Sequence, residues 1–156
     1  MDRTETEVLV ERLAAAPGRI AAAAAGLSPE QLATAPESDE WSALSVLAHM
    51  RASDDILAPR LIAMLVREQP SLPAFDERRW GDVMDYAGLD FQELLAGFTF
   101  RRAELVRALR RFAPADWQRT GQHEARGTIT VSDALRSLVT HEEEHCLQIE
   151  TFLAAV

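Results

Sequence analysis

The chain contains no lysine: all sixteen of its basic residues are arginine. That absence excludes a Schiff-base enzyme, a P-loop phosphate lysine and a Ser–Lys dyad. Cysteine is nearly absent as well. The lone Cys146 cannot build a disulfide framework, a four-cysteine zinc site or an iron–sulfur cluster. Long hydrophobic runs are missing too. The Ala-rich stretch 21–25 is short and follows Arg12 and Arg19, so neither a secretory segment nor a membrane span is expected. Positive charge is scarce, since sixteen arginines face twenty-five acids and leave a net charge of −9. Such a chain repels nucleic acid phosphates and anionic lipid, so no nucleic acid or membrane partner is expected. A single thiol also makes a reducing cytoplasm the expected compartment.

What is present is the composition of one globular domain spanning 1–156, with 47% hydrophobic and 26% charged residues. A chain of this size buries roughly 70% of its unfolded surface on folding. Four long segments carry the helical period, and no segment reads as a strand. The first runs from about 4 to 25, with Val8, Leu9, Leu13, Ala16 and Ile20 on one stripe. Pro17 should break or kink it, and Gly26 should end it by adopting positive φ. Ser28–Leu32 reads as a capped helical stub with Pro29 at its first position.

The second helix starts at the N-cap Ser42 and runs to about 67, with a bend expected at Pro59. A long connector over 70–89 follows, with one helical turn expected around Trp80. The third helix covers about 90–112, with Leu94, Leu95, Phe98, Leu105 and Leu109 inward, and Pro114 closes it. A second long connector, 113–130, holds Trp117, His123 and Gly127. The fourth helix begins near Thr130 or Ser132, where T-V-S-D resembles a capping box, and runs to about 153. Its inward face is expected to carry Ala134, Leu138, His141, His145, Ile149 and Phe152. The fold class is all-α, a four-helix bundle with two long connections.

The four histidines carry the chemistry. His141 and His145 are four apart on a periodic helix, so both imidazoles lie on one face and can reach one cation. The segment His141-Glu142-Glu143-Glu144-His145 formally matches the zinc-protease pattern H-E-x-x-H, yet only eleven residues follow His145. That tail is too short for the downstream ligand such enzymes use, so Glu142 to Glu144 read as a solvated acidic face. The third ligand must lie upstream, and His49 is the candidate. It sits about seven residues into its helix, and His145 about eight from the end of its own. If those helices are antiparallel, the three imidazoles share one level of the bundle. His123 reads as an exposed loop residue, and Cys146 as a buried inert thiol. Ser53, Ser137 and Gln148 are candidates to support ligands or contact substrate, though each could equally fill packing. Arg60 and Arg102 could bind an acidic thiol cofactor, with salt bridges the expected role.

The chain resembles the DinB-like superfamily of bacterial damage-inducible proteins. The matching residues are Trp41-Ser42 leading to L-x-H-M at 47–50, Arg60, LPAFD-x-x-x-W at 72–80, and Arg101-Arg102. Trp117, G-T-I-T-V at 127–131, and H-x-x-x-H followed by Gln148-Ile149 complete the match. The resemblance implies up-down-down-up topology, a homodimer, and a divalent transition metal held by His49, His141 and His145, with zinc or nickel expected first. It also implies a thiol S-transferase that moves a low-molecular-weight thiol onto a small-molecule electrophile. Transfer is preferred over a metal-dependent hydrolase because no general base stands beside the three histidines in sequence. A metal-binding stress-response protein without catalytic activity is the third reading.

Overall fold

The computed structural model describes residues 3–37 and 40–155. Six helices stand in it: α1 Arg3–Ala23, α2 Pro29–Ala33, α3 Ala43–Val66, α4 Glu77–Met84, α5 Phe91–Leu109 and α6 Val131–Leu153. Three short strands, β1 Ser71–Leu72, β2 Thr120–His123 and β3 Gly127–Thr130, join the connectors. The long helices α1, α3, α5 and α6 form the bundle. Arg136 bonds Glu5 and Arg19 bonds Glu150, so α1 and α6 run parallel. The starts of α3 and α5 (Leu47, Phe91) share one apolar cluster and their ends (Met64, Leu109) another, so α5 runs in the same direction as α3. Down-running α3 packs on up-running α6, which gives the up-down-down-up order and an antiparallel pair at the histidines.

Local signals explain the boundaries. Ser42 Oγ accepts from Ser45 N at 3.1 Å and caps α3. Thr130 and Asp133 satisfy each other's backbone N–H groups at the start of α6, and Ser28 with Gln31 does the same for α2. Gly26 takes φ +81° after α1, a conformation that costs a glycine nothing. Pro17 does not break α1, which runs on to Ala23; the proline removes one backbone donor, and the packing of Ala16 and Ile20 on either side holds the helix.

The connectors depart most from the sequence reading. Instead of one turn around Trp80, residues 77–84 form two turns of α4, capped by Asp76. Instead of loop alone, β1 pairs in parallel with β2, and β2 pairs antiparallel with β3. Strands of two to four residues are too short to show an alternating pattern. A Cβ at Gly121 would sit 2.7 Å from Leu72 Cδ1 and 3.0 Å from Met64 Cγ, so a larger residue there would have to displace two buried side chains. The sheet therefore ties the 70–74 segment to the 120–130 hairpin at one side of the bundle.

The core falls into two apolar clusters along the bundle axis. One gathers Ile20, Leu47, Met50, Phe98 and Ile149; the other gathers Leu13, Leu61, Met64, Leu109 and Leu135. Each such fully buried side chain contributes roughly 1.5–3 kcal/mol of transfer free energy. Charged residues lie between them. Asp54, Arg102 and Glu142 are at most 4% exposed. Arg102 Nη2 lies 3.1 Å from Asp54 Oδ1 and donates to Glu142 Oε2. Glu142 is thus in the core and not on a solvated acidic face. It lies on the buried stripe with Leu138 and Cys146, and only Glu144 of that run is exposed. Arg102 takes the inter-helix salt-bridge role. Among the described residues no helix is long and apolar enough to cross a membrane.

Candidate metal centre

Helix α3 supplies His49, and α6 supplies His141 and His145 one turn apart. Their ring centroids lie 5.1, 4.9 and 4.6 Å from one another, and one nitrogen from each ring lies within 4.8 Å of the other two. His49 Nε2 approaches His141 Nε2 to 3.0 Å. The three side chains that the spacing argument pointed to do converge. Their place on α6 differs from the expected inward face. The buried stripe runs through Leu135, Leu138, Glu142, Cys146 and Ile149, while both histidines sit half-buried on its flank, in the seam against α3. A flank position leaves one side of the cluster open.

The donor set fits a divalent cation. Two facing imidazole nitrogens must share a proton or a cation, since two lone pairs at that distance repel. Protonation is disfavoured: burial, followed by His141 and His145, pushes His49 down to about 4. Burial followed by His145 also lowers His141. His145 Nδ1 meets Gln148 Oε1 at 3.0 Å, and because an amide oxygen only accepts, the proton sits on Nδ1 and Nε2 keeps its lone pair for a ligand bond. We expect Gln148→Ala to weaken zinc affinity by about 10–100-fold while the helix content is unchanged, as measured by competition with a chromogenic chelator.

The shifted histidine also sets a pH dependence. The unfolded chain protonates His49 near 6.5, the folded chain only near 4. Stability is thus fully present above 6.5 and is lost as pH falls from there toward 4. Urea midpoints of chelator-treated protein should fall over that window. The decline should be shallower in His49→Gln; equal declines would contradict the account.

One residue near the cluster was missed from sequence. Glu77, in the first turn of α4, places Oε2 3.8 Å from His49 Nε2 and accepts from Ser53 Oγ at 3.2 Å. The signal was present in the N-cap Asp76, which starts a helix at Glu77, but spacing alone does not show where that helix docks. Trp41 also adjoins the cluster. Its ring is 5.2 Å from that of His49 and lies nearly parallel to that of His145 at 6.4 Å, and the Arg78 guanidinium is 5.0 Å from its centre. Cys146 is buried and burial pushes its thiol up to about 12, the inert state expected. His123 ends β2, half-buried and away from the other three, with its Nδ1 accepting from Ala125 N.

Residues 12–149 match the sequence model of the DinB superfamily. The chain belongs to that superfamily. Two proteins of Oceanobacillus iheyensis, each named "Putative metal-dependent hydrolase", are 27% and 24% identical to it over 79% and 82% of its length, and 71% and 73% of theirs. A Bacillus licheniformis protein of the same name is 29% identical over 96% of this chain and 85% of its own. Among solved structures, YfiT from Bacillus subtilis, titled "a probable metal-dependent hydrolase with an unusual four-helix bundle topology", superposes with a TM-score of 0.87 at 22% identity. The match covers 97% of this chain and 87% of YfiT. A mycothiol-dependent maleylpyruvate isomerase superposes with a TM-score of 0.71 at 14% identity, covering 91% of this chain and 59% of its own. At those identities the two structures establish the shared fold of this superfamily member.

Proposed function

We propose that this DinB-superfamily protein is a metal-dependent hydrolase acting on a small molecule, with His49, His141 and His145 as the ligands. Glu77 beside His49 carries the reading. Bound by three neutral imidazoles, a divalent cation keeps its full charge and supplies Lewis acidity, polarising a carbonyl oxygen and making a bound water or thiol more acidic. The chain's own groups do the rest. Glu77, within reach of His49 Nε2 and oriented by Ser53 Oγ, accepts a proton from the attacking water and returns it to the leaving group. Gln148 fixes the tautomer of His145. Trp41 shields the histidines from bulk water and offers an apolar face to the substrate. The relatives' names point the same way.

A thiol S-transferase would use the same cation, but Glu77 supplies the base that hydrolysis requires. Transfer would also need a thiol from outside the chain, because Cys146 is sealed in the core. Zinc and nickel remain the first ions to test, since imidazole accepts both. The deciding experiment compares protein loaded with each ion and protein stripped by chelator on activated esters and amides, then on a chlorinated aromatic electrophile with low-molecular-weight thiols. Metal-dependent ester or amide cleavage without added thiol supports hydrolysis. Turnover only with a thiol supports transfer, and a bound cation with no turnover supports a stress-response binding protein.

A further inference from the structure

Helix α4 carries Glu77 to His49, yet it has little of its own to stand on. It is 8 residues long, and none of them is buried. A helix that short is marginal in water, so contacts with the rest of the molecule must hold it. Half-buried Trp80 is the α4 residue that packs on the apolar core. Glu77, Trp80 and Gly81 stand three and four positions apart and share one face, which is turned to α3. Each meets a different α3 residue. Glu77 accepts from Ser53 Oγ at 3.2 Å, and Trp80 Nε1 donates to Asp55 Oδ2 at 3.3 Å. Gly81 comes so near that a Cβ on it would meet Ala52 Cβ at 3.6 Å.

Asp55 ties these contacts down. Tyr86, two residues past the end of α4, donates its hydroxyl to the same Oδ2. Arg51 donates to Oδ1, and Arg101 Nη2 lies 3.0 Å from that oxygen. One carboxylate thus joins α3, α4, the turn at 86–88 and α5. Its side chain is only 12% exposed. Burial works against the charge of Asp55, but Tyr86, Arg51 and Arg101 together outweigh it and hold the carboxyl below its ordinary range. Burial and then Asp55 push Tyr86 up to about 12, so its hydroxyl keeps the proton it donates. None of these four partners is one of the three histidines. Asp55 therefore acts on the site through α4.

We propose that Asp55 is a positioning residue, which through Trp80 Nε1 and the Tyr86 hydroxyl sets how α4 docks on α3 and so holds Glu77 at His49. The role of Glu77 as a base rests on the metal-dependent reading above; the docking of α4 does not. Ser53 Oγ orients the Glu77 carboxylate, but it cannot hold the backbone that carries it. The bond from Trp80, one turn further along α4, does that. A misplacement of about 1 Å in a group that handles a proton can cost about 10²-fold in rate, so an anchor outside the site governs the reaction without touching substrate. A base that is placed before substrate arrives also needs a supporting layer that is itself locked, and Asp55 with four partners is such a layer.

The test compares the full chain with Trp80→Phe, which keeps a ring and removes the N–H, and with Asp55→Asn. Amide hydrogen exchange at residues 80–84 should quicken about fivefold or more in Trp80→Phe, while the amides of α6 exchange as in wild type. Asp55→Asn should quicken the same amides if circular dichroism shows it folded. Zinc content should stay that of wild type in both. With zinc loaded and p-nitrophenyl acetate as the probe ester, Trp80→Phe should lower kcat about tenfold and leave KM nearly unchanged. Adding Trp80→Phe to Glu77→Gln should cost nothing further, because lost positioning then has no base to act on. Unchanged exchange in α4, or a loss that multiplies with that of Glu77→Gln, would overturn the proposal. No turnover by wild type, or full activity in Glu77→Gln, would remove the base reading instead, and exchange in α4 then decides the anchor by itself.

Discussion

Arg102→Met will destabilise the protein by about 3–5 kcal/mol, a fall in Tm of about 10–15 °C for a chain of this size. The loss exceeds that expected from an ordinary core substitution because of what remains behind. Among the described residues Arg102 is the only cation in contact with Glu142, and it shares Asp54 with Arg101 across the middle of the bundle. Met fills much of the volume but leaves two buried carboxyl groups without it. Glu142 has already moved toward its neutral form. Burial pushes it up to about 8, against the pull of Arg102 and with the help of Asp54. Its contribution is therefore fully present below about 4.5 and is lost as pH rises through about 8. Removing the whole layer with Arg102→Met, Asp54→Asn and Glu142→Gln should recover most of the loss, because buried ion networks cost stability chiefly when half of one is left. Urea unfolding of both variants checks this. A loss below about 1 kcal/mol for the single change would contradict the ion layer.

Glu77→Gln will lower kcat/KM of the metal-loaded protein by about 10²–10⁴-fold while its metal content stays that of wild type. Gln keeps the size and an oxygen that accepts from Ser53 Oγ, and loses the ability to take a proton. A general base removed in this way shows in kcat more than in KM, and the limb of the pH–rate profile that belongs to the base should disappear. Ser53→Ala, which loosens Glu77 without removing it, should cost far less. Unchanged activity in Glu77→Gln would remove Glu77 from the reaction. Loss of metal together with activity would make it a fourth ligand instead.

The parts that were legible in sequence were those written in local rules. Ser42, Asp90 and Thr130 cap helices where they stand, and the helical period placed Leu47, Phe98 and Ile149 in the core. The convergence of His49 with His141 and His145 followed from counting turns along two antiparallel helices. Glu142 was misread because three consecutive glutamates look like a wet face, and only the partner Arg102, forty residues away, makes burial tolerable. Pairings across connectors leave no period to read. Glu77 comes to the site through the docking of α4, and the sheet of very short strands takes a register that depends on tertiary contacts.

Metal analysis of purified wild type beside His49→Ala, His141→Ala and His145→Ala, each offered Zn²⁺ or Ni²⁺ and then desalted, tests the three-histidine centre most directly. Wild type should hold close to one cation per chain and each variant a small fraction of that, with unchanged helix content. Full occupancy in the variants, or no uptake of either ion by wild type, would contradict the three-histidine centre.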